Sequence, residues 1–582
     1  MRIPRPEHPR PQFERDDWIN LNGEWSYTFD FGGSGRDAGR ELFKSKGFDG
    51  TIVVPFCPES KLSGVGHTDF IGNMWYHRRI EVPAAWAGRR ILIHFGAVDY
   101  ECEVYVDGAS VGNPHFGGTV SFEFDLSPFV KAGSAHDLVV RVHDETRGQN
   151  QPGGKQSAAY KSAGCHYTRT TGIWQTVWLE AVAPAALKRV QTVPDFDAAR
   201  FVVTPAYYAV AAGNTFRATL KDGDKTIAAA ECGAFDGVPA VLQIPGEAKP
   251  WSPESPFLYG LVFEVLDASG AVVDRVRSYA GLRKVHIEGN QVFLNNKPLF
   301  QSLVLDQGFY PDGIWTAPSD EALRRDIELS MAAGFNGARL HQKVFEERFH
   351  YWADRLGYLT WGEASSWGCD PNSMQGARNF IAEWGEIVMR DRNHPSIIAW
   401  TPWNETWDCH DRVQHHRTQI DCYNVCKALD PTRPVNDASG YIHAMTDLWT
   451  VHNYSRAEQL AKDLASGGPD GVWLRDPDKL NASPYRGQPY LNDEFGGLKW
   501  IPEGRSAFAD NTWGYGSDIP DLEALYKILS DEVDAMLAVP NLRGWCYTQL
   551  TDVEQEQNGI YCYDRTPKFD MARIREIFTR RP

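Results

Sequence analysis

Between Phe300 and Leu550 eight short apolar runs alternate with longer stretches of helical periodicity, and few folds can use such an alternation. The runs are FQSLVLD (300–306), GFNGARLH (334–341), GYLTWGE (357–363), SIIAWTPWNE (396–405), RPVNDAS (433–439), DLWTVHNY (447–454), QPYLNDEF (488–495) and LRGWCYTQL (542–550). Parallel strands joined by helical crossovers require this grammar, and eight is the number that closes a (β/α)8 TIM barrel. The first crossover fits: Ser319 is placed to cap a helix whose Leu323, Ile327 and Met331 recur every four residues as one apolar face. A doubly wound open sheet is the competing fold, but no glycine-rich dinucleotide fingerprint follows any run.

The first half of the chain reads differently. Short alternating segments separated by Gly, Asp and Pro turns give it the grammar of a β-sandwich, clearest in RRILIHFGAVDYECEVYVDGASVG, where Asp107-Gly108 sits between two alternating runs as a tight hairpin turn would. GIWQTVWLEAV closes this region, and APAALKRV leads into a second set of short strands the length of one immunoglobulin-like domain. The boundaries expected are 1–183, 184–282 and 283–582.

A net charge of −17 argues against a polyanion partner, since nucleic-acid binding needs clustered Lys and Arg. No apolar run is long enough to cross a membrane, and MRIPRPEHPRPQFERDDW lacks the apolar centre of a secretory signal, so a cytoplasmic chain is expected unless a leader has been cleaved. The ten cysteines are scattered, mostly at apolar positions, and read as buried thiols. Cys409, His410, His415, His416, Cys422 and Cys426 cluster in sequence, yet DRVQHHRTQIDCYNVCKALD has the period of an ordinary amphipathic helix and no Cys-x-x-Cys pair; neither metal nor cofactor is expected. Homo-oligomerisation is left open.

In a barrel the C-terminal strand ends share one face, where active sites of this fold lie. The ends supply Asp306, Arg339, His341, Glu363, Asn404, Glu405, Asp437, His452, Tyr454, Asp493, Glu494 and Trp545: an acidic, aromatic ring with a few donors. Sugars suit it, because their C–H faces stack on aromatic rings and their hydroxyls pair with carboxylates, amides and guanidinium groups. Glu405 on the fourth strand and Glu494 on the seventh can flank a substrate, one protonating a glycosidic oxygen while the other meets the developing cationic carbon. The plain alternative for either is a solvated strand-end salt bridge.

RPQFERDDWINLNGEWSYTFD, GIWQTVWLE, RNHPSIIAWTPWNE and NDEFGG together resemble glycoside hydrolase family 2, over essentially the whole chain. The resemblance implies a jelly-roll sugar-binding domain, an immunoglobulin-like domain and a catalytic barrel that hydrolyses terminal β-linked sugars with retention. By position, Glu405 matches the family's acid/base and Glu494 its nucleophile. Glu405 is therefore expected to have the raised pKa of the two, with carboxyl groups about 5 to 5.5 Å apart. Tyr454 is expected to hydrogen-bond Glu494 with His452 beside it, and Arg339, His341, Asn404 and Trp545 to line the sugar pocket, with Asp306 and Glu363 near it. Trp403 stands where many members have glycine, and its bulk is expected to reshape the pocket. The family's glucuronidases carry an Asn-x-Lys signature late in the barrel, whereas here Asn558 is followed by Gly559 and Ile560, so a neutral sugar is expected, a β-galactoside first. A transglycosylase and a catalytically silent carbohydrate-binding protein are the alternatives.

Overall fold

The computed structural model describes residues 3–505, 511–516 and 519–582. The first region is a β-sandwich. One sheet has strand order Trp18–Asn20, Val177–Val182, Arg90–Phe95, Phe122–Asp125; the other has seven strands around Asn73–Val82 and Ser134–His143. Trp25, Tyr76, Ile93, Val140 and Leu179 fill the space between them, as two half-apolar sheets require. Asp107 and Gly108, both at positive φ, make the two-residue turn that pairs Val106 with Ala109.

A second sandwich follows, with a three-stranded sheet (Leu187–Asp195, Arg200–Tyr207, Ala240–Gln243) facing a four-stranded one (Lys225–Gly233, Thr215–Asp222, Tyr259–Leu266, Val272–Ala280) over Phe201, Phe216, Leu242 and Phe263.

The third region is the TIM barrel. Its strands are β1 Gln301–Asp306, β2 Gly337–Leu340, β3 Leu359–Glu363, β4 Ile397–Thr401, β5 Ala438–Ser439, β6 Trp449–His452, β7 Tyr490–Gly496 and β8 Leu542–Thr548. Seven form one parallel sheet in the order β4-β3-β2-β1-β8-β7-β6, and β5 pairs instead with the extension of β4 at Trp403–Asn404. Helices α1 Asp320–Ala332, α2 Glu347–Leu356, α3 Met374–Asp391, α4 Arg412–Leu429, α5 Ala457–Ala465, α6 Leu522–Leu537 and α7 Met571–Phe578 surround it. Ser319 caps α1 by accepting the Ala322 amide, and Leu323 and Ile327 are buried. Leu303, Leu305, Trp361, Ala399, Leu491 and Cys546 form the barrel interior, while Val304, Leu340 and Tyr547 face the helices.

The first sandwich is docked onto the barrel mouth by its 150–174 segment. Trp174 packs on Trp315, the Tyr167 hydroxyl donates to Glu556, and the Gly153 and Gly154 amides donate to the Trp367 carbonyl at 2.8 and 2.9 Å. Gly154 has φ +58°, and a Cβ there would sit 2.1 Å from the Gln342 carbonyl oxygen, so two backbones meet where no side chain fits. Gly154→Ala should lift this segment off the mouth, costing about 1–3 kcal/mol and lowering activity at least tenfold; thermal melting and kcat/KM measured together would show both, and an unchanged kcat/KM would show that the contact is dispensable.

Candidate active site

Arg339 is the centre of the site. It leaves β2 toward the barrel axis with 0% side-chain exposure, and its guanidinium is ringed by Glu494 (a direct hydrogen bond from Nη2), Glu363 (3.5 Å), Asp493 (3.6 Å), the Asn404 amide oxygen (3.3 Å) and His341 (2.7 Å). A cation without water is tolerable only when so surrounded. Glu363, buried but opposed by Arg339, has its carboxyl pushed up to about 7, and burial with nearby Lys155 and Arg339 drives His341 well below the ordinary histidine range.

His452, at the end of β6, ties the two glutamates together. Its Nδ1 is 2.7 Å from Glu405 and 3.4 Å from Glu494, and its Nε2 lies 3.3 Å from Asp493 and 2.9 Å from the Ser439 hydroxyl. Burial alone would strip its proton, but Glu494 and Asp493 outweigh burial and push it up to about 10. Glu405 is partly buried, which raises a carboxyl, yet the hydrogen bond and charge of His452 hold it below its ordinary value. The expectation of a raised Glu405 is thus reversed, because the His452 imidazole lies against it. Glu405 also sits at φ 46°, a strained left-handed conformation for a side chain-bearing residue, held by its amide donating to the Ser439 carbonyl at 2.9 Å. Tyr454 donates to Glu494 at 2.6 Å and stacks on Tyr515 at 3.5 Å.

The structure therefore brings together Glu405, Glu494, Asn404, Arg339, His341, Glu363, His452 and Tyr454. Three expected residues are elsewhere. Trp545 is 0% exposed and points out of the barrel, packing on Phe300 with its indole N–H on Ser302, so it cannot stack on a sugar. Trp403 also points outward and stacks on Phe380 of α3 at 4.0 Å, so its bulk fills the helix layer and leaves the pocket unshaped by it. Asp306 alternates with inward-facing Leu305 and joins Asp326 and Arg565 outside the barrel, its carboxyl raised to about 7 by burial and by Asp326. The aromatic lining comes from loops instead: Trp367 donates its indole N–H to the Asn404 carbonyl at 3.2 Å, Trp407 packs edge-on against it at 5.6 Å, and Tyr441 flanks Glu405. Lys155, carried in by the docked segment after Gly153-Gly154, lies 5.6 Å from the Trp367 ring. Its Gly-Gly-Lys context was the available signal, but sequence gave no reason to place a sandwich loop inside a barrel site.

Glu405, His452 and Glu494 each offer an atom within 4.8 Å of the other two. The trio could chelate a cation by distance, but a histidine kept protonated between carboxylates has no lone pair to give. The arrangement suits proton transfer instead: two carboxylates across a small gap, one charge-neutralised by Arg339 and Tyr454, the other joined to a proton-bearing imidazole.

Fold and site together define a carbohydrate-active barrel enzyme. The sequence matches the glycosyl hydrolases family 2 sugar binding domain over residues 58–179, the glycosyl hydrolases family 2 domain over 186–283 and the family's TIM barrel domain over 285–497. The chain belongs to glycoside hydrolase family 2 and is a glycoside hydrolase. It is 22% identical to a β-glucuronidase of Paenibacillus borealis over 94% of each chain. It is 24% identical to a β-galactosidase of Thermoanaerobacter pseudethanolicus over 83% of this chain and 62% of the relative. Among solved structures, a β-glucuronidase of Ruminococcus gnavus in complex with D-glucuronic acid superposes with a TM-score of 0.79 at 19% identity, over 97% of this chain and 99% of that one, and shares the fold.

Tyr454→Phe removes one donor to a charged acceptor, worth about 1.5–3 kcal/mol. Turnover should fall about 10- to 100-fold with the melting temperature nearly unchanged, since the ring and its stacking on Tyr515 persist; full turnover in steady-state kinetics would exclude the role.

Proposed function

We propose that the chain cleaves a terminal β-linked glycoside with retention of configuration, Glu494 acting as nucleophile and Glu405 as acid/base. The observation that carries this reading is the approach of the two carboxylates: an oxygen of each lies within 4.8 Å of the other, too close to hold the attacking water of an inverting enzyme. Glu494 attacks the anomeric carbon while Glu405 delivers a proton to the departing oxygen; water, deprotonated by Glu405, then releases the sugar. Arg339 and Tyr454 each hydrogen-bond Glu494 and orient its carboxylate for attack. Asn404 spends its amide oxygen on Arg339 and keeps its buried Nδ2 without a partner among the described residues, leaving a donor for the sugar's 2-hydroxyl.

For the glycone, Lys155 favours a sugar that carries a carboxylate. The residue is only 5% exposed, and its ammonium has no hydrogen-bond or ion-pair acceptor among the described residues, although its charge is felt at Glu405 and His341. An unpaired ammonium in so enclosed a place favours an anionic partner, and a uronic acid would bring one. The position of the family's Asn-x-Lys signature is occupied differently: Asn558 is consumed by Gln549 at 2.8 Å and Glu556 at 3.1 Å. Relatives named β-glucuronidase support the same choice. A neutral β-galactoside, favoured by sequence alone, is the second reading, and transglycosylation would use the same residues.

A panel of 4-nitrophenyl β-glycosides tests both levels. The β-glucuronide should be turned over at least tenfold better than the β-galactoside, with the β-anomer appearing first by proton NMR; first release of the α-anomer would exclude the double displacement. Lys155→Met should reduce kcat/KM on the uronide by about 100-fold, as loss of one partner of a buried ion pair does, and spare neutral glycosides. Equal loss on both would reject carboxylate recognition while leaving the glutamates untouched. Glu405→Ala should retain activated aryl glycosides far better than poor leaving groups, with azide restoring turnover.

A further inference from the structure

In the loop that follows Glu405, a second cluster of chemistry-bearing side chains has no part in glycoside cleavage. Cys409 lies in the loop after Glu405, and His415 and His416 sit near the start of α4. One donor atom from each falls within 4.8 Å of the other two. The expected amphipathic helix is present, and it buries Cys422 and Cys426 in the core against Trp403 and Trp384; what helical periodicity does not reveal is that the preceding loop folds its thiol back against the two imidazoles.

We propose that Cys409, His415 and His416 bind one borderline-soft divalent transition-metal ion, of which zinc fits the donor set best.

Three observations carry the assignment. His415 is 0% exposed, yet neither ring nitrogen has a hydrogen-bond partner among the described residues, which is rare for a buried polar group. The Thr406 backbone approaches its ring, and the Asn481 backbone approaches that of His416, without meeting hydrogen-bond geometry. Ligating histidines use such carbonyls to orient the ring while the other nitrogen holds the metal. The donors are one thiolate and two imidazoles, a set suited to zinc. Cys409 and His416 are partly exposed, which leaves a fourth position facing water. Asp408 is outside the set: it pairs with His410 at 3.1 Å in solvent.

The ion would brace the loop that carries the acid/base. Thr406, next to Glu405, is held by its hydroxyl, which donates to the Ile442 carbonyl at 3.2 Å and accepts from Gln419 at 3.0 Å. A metal joining Cys409 to α4 closes that loop from its far end, a structural role separate from the reaction.

The full chain, purified without a polyhistidine tag, stripped with chelator and equilibrated with micromolar zinc, should retain about one equivalent of metal by mass spectrometry and melt several degrees higher than the stripped protein. Cobalt(II) should give a near-ultraviolet thiolate-to-metal band that disappears in Cys409→Ser. His416→Gln, at a partly exposed position that leaves the core intact, should weaken binding about 10- to 100-fold. Less than about a tenth of an equivalent in the wild-type chain would overturn the proposal, as would a cobalt spectrum that Cys409→Ser does not change.

Discussion

A fully buried guanidinium organises the barrel mouth. Arg339 cannot be left unpaired at its depth, and satisfying it draws Glu363 from β3, Asn404 from the β4 extension, and Asp493 and Glu494 from β7 to one point. Four strands are thereby held in mutual register at their C-terminal ends, and Glu494 is given a fixed orientation as well as a counter-charge. The cost is an excess of acid around one cation, which the site resolves by leaving Glu363 partly protonated and by keeping His452 charged. Removing Arg339 would release the repulsion among three carboxylates and scatter the ring they form.

The mouth is built from two domains. The barrel supplies the paired carboxylates, but the wall opposite comes from the first sandwich, whose Gly153-Gly154 backbone lies flat on the Gln342 and Trp367 turns and delivers Lys155 to the Trp367 ring. Glu554 and Glu556 bind the same segment through the Thr168 amide and the Tyr167 hydroxyl. A sugar in this site therefore meets a surface that exists only when the domains are docked.

Much of this was legible from strand ends. In a barrel, the last inward-facing residue of each strand reaches the mouth, and that rule located Arg339, His341, Glu363, Asn404, Glu405, His452, Tyr454 and Glu494 together. It failed where parity could not be counted. Asp306 lies one residue beyond inward-facing Leu305, and Trp545 lies three residues before the true end of β8 at Thr548. Register shifts in β3 and β7 change which face a residue takes, and no composition signal marks them. Trp403 was misplaced because its neighbours Asn404 and Glu405 face inward, while the side chain itself finds Phe380. Lys155, Trp367 and Tyr441 belong to loops, whose paths depend on tertiary docking rather than on local periodicity.

The position of the proton is the last consequence of these charges. The charge of Glu494 is the largest attraction for a proton on His452, whose Nδ1 lies 2.7 Å from Glu405, a carboxyl held below its ordinary value by the same imidazole. On the proposed double displacement, Glu494 loses that charge as its oxygen bonds to the anomeric carbon. Its hold on the His452 proton weakens at the moment when the departing oxygen needs one, and the short Nδ1 to Oε1 contact is the route by which Glu405 can be reloaded. On that proposal, bond formation at Glu494 raises the acidity of the imidazole that touches Glu405, so that the two carboxylates are coupled through a single histidine.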